Sequence, residues 1–302
     1  MLEFGVQTIQ TPSKLCGLKR LCRSRSRWDW LGSNVSVMET EIIPESHDLA
    51  NKPLVEALFE LRWKLDENQA RGTTAFRLLF GRYYDRIRAT YPEVEDLPAS
   101  AVPESMTPYI VRHRFRTAKD QWPVTQIGPG IMSVNETEKY RWEPFRKRIE
   151  ETSQAIFDGF PREMSPFEPT QAELRYINMI PYEVWNGGIT EFIAKNLHTT
   201  IKLDDRLFNG PPKTGNERGL DFSISYRLTK PQATGTLSFA TGANEDKTGI
   251  LWQLIIRSYP GHVPDTHEKI MSWSDEAHDV VDSWFFTLAR GSLMETFDRE
   301  TP

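Results

Sequence analysis

Cysteine is almost missing from this chain. Cys16 and Cys22 are the only two among 302 residues, and none follows them. Thiol nucleophiles, thiolate zinc sites and disulfides are thereby excluded beyond residue 22, and the cytoplasm is the default compartment. The two cysteines have five residues between them and no neighbouring histidine, a spacing that matches no metal motif. Long apolar runs are absent too. None approaches the ~18–20 residues that a membrane-spanning helix needs, so no such helix is expected. Glycine-rich phosphate loops, the Gly-x-Ser-x-Gly elbow and the dinucleotide fingerprint are all missing. Neither a cofactor nor a metal is expected.

Positive charge is in excess only at the start. Residues 1–37 hold Lys14, Lys19, Arg20, Arg23, Arg25 and Arg27 against Glu3 and Asp29, net +4. Taking these from the whole-chain totals of 37 basic and 42 acidic residues leaves 31 against 40, net −9, for residues 38–302. A targeting peptide would need an apolar h-region that is not there. A basic arm for nucleic acid is the second reading. The plainest is a disordered extension, or a start upstream of an equally good one at Met38. Residues 1–50 are read as a basic leader and lead-in, disordered, with residues 1–37 not needed for folding.

The folded part is organised around the stretch from Pro53 to Trp63. Val55, Ala57, Phe59, Leu61 and Trp63 alternate with Leu54, Glu56, Leu58, Glu60 and Arg62, which is a strand with one apolar and one mixed face. Phe76, Leu79, Phe80, Tyr83, Tyr84, Ile87 and Tyr91 recur at helical spacing, and Pro92 stops that helix. Residues 92–108, with four prolines, read as an extended loop. Residues 109–116 read as a strand whose outer face carries Arg112, Arg114 and Arg116. Gly128-Pro129-Gly130 joins two more strands, and a helix from about Tyr140 ends near Gly159. Residues 51–160 thus read β-α-β-β-β-α, and a proline-rich linker, 161–170, follows.

Residues 171–302 repeat that order. A strand at 172–180 precedes a helix at 188–198, a polar loop at 204–218 and three strands. The first of these, Leu220 to Leu228, alternates almost perfectly. Ser274-Asp275-Glu276 reads as the cap of a last helix with Ala277, Val280, Val281, Trp284, Phe285 and Leu288 as its buried stripe. The expectation is an α+β fold: two β-α-β-β-β-α halves, an internal duplication judged on element order alone, forming antiparallel sheet with helices on one face. TATA-binding-protein-like and helix-grip folds are the analogues.

Three short motifs carry a further likeness. Pro-Leu-Val-Glu-Ala at 53–57, Leu-Arg-Tyr-Ile-Asn at 174–178 and the Ala277-His278 pair on the last helix resemble a sporadically distributed bacterial family of about this length, across roughly residues 50–298. That family has no established activity, so the resemblance supplies no catalytic residues. Its scattered distribution implies an accessory role such as defence or toxin neutralisation.

Candidate site residues are few. His262 and His267 share an acidic, proline-rich loop, but their spacing is not the i, i+4 metal pair and no third ligand is evident. His278 is placed in the first turn of the last helix, with Asp282 one turn on as a hydrogen-bond partner. A structural histidine is favoured there over a base. Glu56 and Glu60 share a face but lie ~13 Å apart by strand rise, too far for paired acid–base work at ~5–10 Å. Arg175 is their natural ion partner if the two opening strands are neighbours. Arg112, Arg114 and Arg116 could meet phosphates, yet the acidic folded part disfavours nucleic acid. The leading expectation is a non-enzymatic protein- or peptide-binding protein using its open sheet face or the cleft between its halves. The alternative is a small-ligand, anion or nucleic-acid binder through the arginine-bearing face or a cavity. An enzyme using His278 and a carboxylate ranks third.

Overall fold

Alternation decides the centre of the molecule. The computed structural model describes residues 49–298 other than 138, 182–187, 205, 207–218 and 245–246, and only the backbone of 243, 244, 247 and 248. The readings made for residues 1–37, His47 and most of the 204–218 loop lie outside the described residues. In chain order the elements are β1 (Leu54–Trp63), α1 (Gln69–Ile87), β2 (Glu93–Asp96), two 3-10 turns (Pro98–Ala101 and Glu104–Met106), β3 (His113–Arg116), β4 (Val124–Gly128), β5 (Ile131–Glu136), α2 (Trp142–Gly159), β6 (Pro169–Pro181), α3 (Ile189–Asn196), β7 (Asp221–Leu228), β8 (Ala233–Asn244), β9 (Lys247–Ser258), α4 (His267–Ala289) and α5 (Ser292–Asp298). All nine strands join one antiparallel sheet in the order β2-β3-β4-β5-β1-β6-β9-β8-β7. Helices cover one side of it, which is the expected α+β architecture.

β1 pairs with β5 on one side and with β6 on the other, so the two halves meet in the middle of a continuous sheet. Ala57, Phe59, Leu61 and Trp63 turn to the helices and are buried with Leu174 and Tyr176 of β6. Burying one such large side chain contributes about 1.5–3 kcal/mol, which pins the register, since a one-residue slip would expose all of them. α1 lays Phe76, Leu79, Tyr83 and Ile87 on the sheet, and its N-terminus is held by Asn68, whose side chain accepts the Arg71 amide. α2 and α4 are tied by Arg146, which donates to both oxygens of Asp275 at 2.6 and 2.9 Å. At the β4–β5 hairpin Gly130 has φ +79°, and a Cβ on Gly128 would sit 1.9 Å from the Ile110 carbonyl oxygen. Glycine is required at both positions.

Several expected boundaries move. β2 lies inside the predicted loop and is held by β3. β3 starts at His113, because Tyr109 has φ +59°, outside strand geometry. α1 begins at Gln69, ahead of the first residue of the predicted stripe, and ends at Ile87, short of Pro92. β6 begins at Pro169, inside the predicted linker. α4 starts at His267, capped by the Thr266 side chain, which accepts the Lys269 amide. Ser274 is instead buried within α4, donating to the Ile270 carbonyl. His278 therefore stands mid-helix, not in a first turn. Among the described residues both halves contain a strand, a helix, three strands and a helix in order, with β2 and α5 in addition, and this order alone does not establish the expected duplication.

Candidate functional site

The arginines expected on the open face are engaged internally. Arg112 is buried and donates to the carbonyls of Ser100 and Val102 and to Thr107 Oγ1, at 2.9, 2.7 and 2.7 Å. It holds the two 3-10 turns against the sheet. Arg114 and Arg116 share Glu95 of β2, at 3.4 and 3.0 Å. Burial alone would raise the Glu95 carboxyl, but the Arg116 bond and both arginine charges outweigh it and hold the group below the usual range.

Arg175 does lie across from Leu58, between Glu56 and Glu60, as neighbouring opening strands require. Its hydrogen-bonded partner is nevertheless Glu173 on its own strand. Glu173 is almost fully buried and also accepts from Arg257 of β9 at 2.6 Å. Glu56 accepts from Asn135 at 2.5 Å and Glu60 from Arg62 at 2.6 Å. Burial raises both carboxyls, and these bonds together with the Arg175 charge pull them back. The face is a hydrogen-bonded network in which Glu60 and Glu173 are ion-paired and Glu56 is held by the Asn135 amide.

A different arrangement lies at the seam between helices and sheet. A cavity of about 370 Å³ is bounded by β1, β6, β9, the start of α2 and the middle of α4. Its floor includes Leu54, Tyr176, Asn178 and Leu254, and its walls include Tyr140, Trp142, His278, Asp282, Phe285 and Phe286. The His278 ring stacks on Trp142, with centroids 4.0 Å apart and planes inclined by 15°. Tyr140 and Tyr176 hydroxyls are 2.5 Å apart, and the Tyr176 hydroxyl is 3.2 Å from His278 Nδ1. Burial pushes the His278 pKa down to about 4, against the pull of Asp275 and Glu143, so the ring is neutral at pH 7. With the neutral ring's proton on Nε2, Tyr140 donates to Tyr176 and Tyr176 to His278 Nδ1; with it on Nδ1, His278 donates to the Tyr176 hydroxyl instead. Burial also raises both tyrosines, so neither is a ready acid at neutral pH.

Asp282 is the exception to this mutual satisfaction. It was expected to bond His278, but His278 is served by Tyr176 across the seam. Among the described residues Asp282 makes no hydrogen bond and no ion pair. Burial first, and the like charge of Asp279 second, push its carboxyl up to about 6. Sequence reasoning missed Tyr140, Trp142, Tyr176 and Asn178. The available signal was parity: Tyr176 and Asn178 are polar groups on the inward face of an otherwise apolar strand.

His262 and His267 do not form a site. His267 opens α4 and faces the Glu150 carbonyl at 3.2 Å. Among the described residues no group of three histidine, cysteine or acidic side chains is placed to hold a metal ion, and no helix is long and apolar enough to cross a membrane. The chain matches no known family model and no curated protein.

Proposed function

We propose that this is a non-enzymatic binding protein whose seam pocket takes a small organic base with an apolar body. One observation carries the reading: Asp282 faces an aromatic cavity without an internal partner. An ionised carboxylate in that setting costs stability, and a group that costs stability without local compensation is expected where it serves a ligand. A ligand ammonium would neutralise it, and Trp142, Tyr140 and Phe285 offer the aromatic surface that organic cations favour. The cavity volume falls in the range of small-molecule sites. Catalysis is supported less. His278 and Asp282 form no dyad, and the histidine is a weak base at about 4.

The open-face readings are also supported less. Arg112, Arg114, Arg116 and Arg175 each have an internal acceptor, so an anion or nucleic acid would have to displace existing partners. The same pairing leaves fewer unmatched groups for the protein partner first expected there.

Calorimetric titration with benzyltrimethylammonium, 2-phenylethylamine and 3-phenylpropanoate tests the proposal. The two cations are expected to bind and the carboxylate not, with affinity falling as pH drops through about 6 and Asp282 takes up a proton. Asp282→Asn is expected to abolish binding without loss of fold. Equal binding of the carboxylate, or cation binding unchanged in Asp282→Asn, would overturn it.

A further inference from the structure

The two edges of the sheet differ in kind. β2 is four residues long and carries Glu93, Glu95 and Asp96, the short and charged form that discourages pairing with another chain. β7 is eight residues long, and its interior is uncharged from Phe222 to Tyr226. Ile224 and Tyr226 are 36% and 51% exposed although they lie on the helix side of the sheet. Such an edge is a ready template for another strand.

The backbone phase of β7 follows from its neighbour. The Thr241 amide donates to the Leu220 carbonyl, so residues 220, 222, 224, 226 and 228 turn their backbone groups to β8. Asp221, Ser223, Ser225 and Arg227 turn theirs outward. Among the described residues neither Asp221 nor Arg227 has an ion partner, although Arg227 lies over the Tyr259 ring at 5.0 Å.

We propose that a second copy of this chain pairs with β7, β7 against β7, about a two-fold axis through Ile224. An antiparallel pair that keeps both helix layers on one side must match residues of the same parity. With Ile224 opposite Ile224, Ser223 meets Ser225, Phe222 meets Tyr226 and Asp221 meets Arg227, each contact occurring twice. The apolar pairs share the helix side and the opposite charges share the open side. The outward-facing residues are then the hydrogen-bonded pairs, and the apolar ones fall at the closer, non-bonded positions. A shift of two residues either way sets Asp221 opposite Ser225 or Thr229, and Arg227 opposite Gly219 or Ser223. Both ion pairs are lost in each case, so charge selects this register. The product is one continuous sheet with β2 at both ends, whose edges are already guarded.

Sedimentation velocity of the full chain between about 1 and 50 μM tests this. The expected species is a dimer. Arg227→Asp and Asp221→Arg, each placing like charges opposite one another, are expected to raise the dimer Kd at least tenfold. Combining them in Asp221→Arg/Arg227→Asp restores the pairing of opposite charges and is expected to restore the dimer. Ser225→Pro removes one outward amide and the hydroxyl contact to Thr236 but none of the backbone bonds to β8, and is expected to give a monomer with an unchanged circular dichroism spectrum. A wild-type monomer throughout that range would overturn the proposal. So would a dimer indifferent to both single charge changes, or a double variant that stays monomeric while the wild type dimerises.

Discussion

Two groups in the seam pocket titrate in opposite senses, and removing one should expose the other. His278 has a folded pKa of about 4 against an ordinary 6.5, so the unfolded chain takes up its proton first. Its contribution to stability is complete above 6.5 and is lost as pH falls from 6.5 through 4. Asp282 is displaced the other way, to about 6 from 3.8. The folded state keeps that proton longer, so its contribution is complete below 3.8 and is lost as pH rises through 6. Each displacement corresponds to about 3 kcal/mol, and to about half that once the partial opening of both side chains to solvent is allowed for. In the wild type the two nearly cancel between pH 7 and 4. Asp282→Asn should therefore be more stable than the wild type at pH 7, by about 1.5 kcal/mol, and equal to it near pH 4. Urea unfolding at half-unit pH steps measures this, with the wild type as reference for all other carboxylates. A variant no more stable than the wild type at pH 7 would refute the placement of Asp282 as an uncompensated charge.

Other perturbations have definite expected outcomes. With the His278 proton on Nε2, Tyr176→Phe leaves the Tyr140 hydroxyl without its acceptor and His278 without its donor, and should cost about 2–4 kcal/mol by urea unfolding, whereas Tyr140→Phe should cost about 1 kcal/mol. The reverse order would show that the donor sequence runs the other way. Arg112→Lys should cost about 2–4 kcal/mol, because one ammonium cannot replace a fork that meets three acceptors. Arg114→Gln should cost less than about 1 kcal/mol, its partner Glu95 being half-exposed and still paired with Arg116. Gly128→Ala should cost well over 1 kcal/mol, since the backbone of Ile110 must move, and a thermal melt within a degree of wild type would contradict the close approach.

Strand character was readable wherever one face is apolar, because the period of two needs only local residues. β1 and β7 declare themselves in that way, as do the buried stripes of α1 and α4. β2 does not. Glu93-Val94-Glu95-Asp96 has no strand preference of its own and is extended because β3 supplies its partners and Arg114 and Arg116 offset its charge. The start of α4 misled for a related reason. Ser274 followed by two acids has the composition of a cap, yet Ser274 bonds back to Ile270 inside the helix, and Thr266 caps it from within a loop. Helical arithmetic linked His278 to Asp282, an acid one turn further on. Its actual partner, Tyr176, is 102 residues distant and is brought near only by the docking of α4 on β6.

The polar groups of this interior break the apolar pattern in two ways, and the difference points to the pocket. Glu173 and Arg112 are buried and tied into the fold: Glu173 by Arg175 and Arg257, Arg112 by three oxygens of the turns it holds, with its Nε alone left without a partner. Such groups specify how strands and turns fit together, and their chemistry is complete without a visitor. Asp282 is only partly buried, yet its carboxyl is raised to about 6, and among the described residues no hydrogen bond or ion pair reaches it. A satisfied network explains its own presence through the fold. An unanswered carboxyl beside stacked aromatic rings does not, because asparagine in its place would fit the same space at lower cost. The basic ligand proposed above would answer it, which is why the functional proposal rests on the seam and not on the arginine-bearing face.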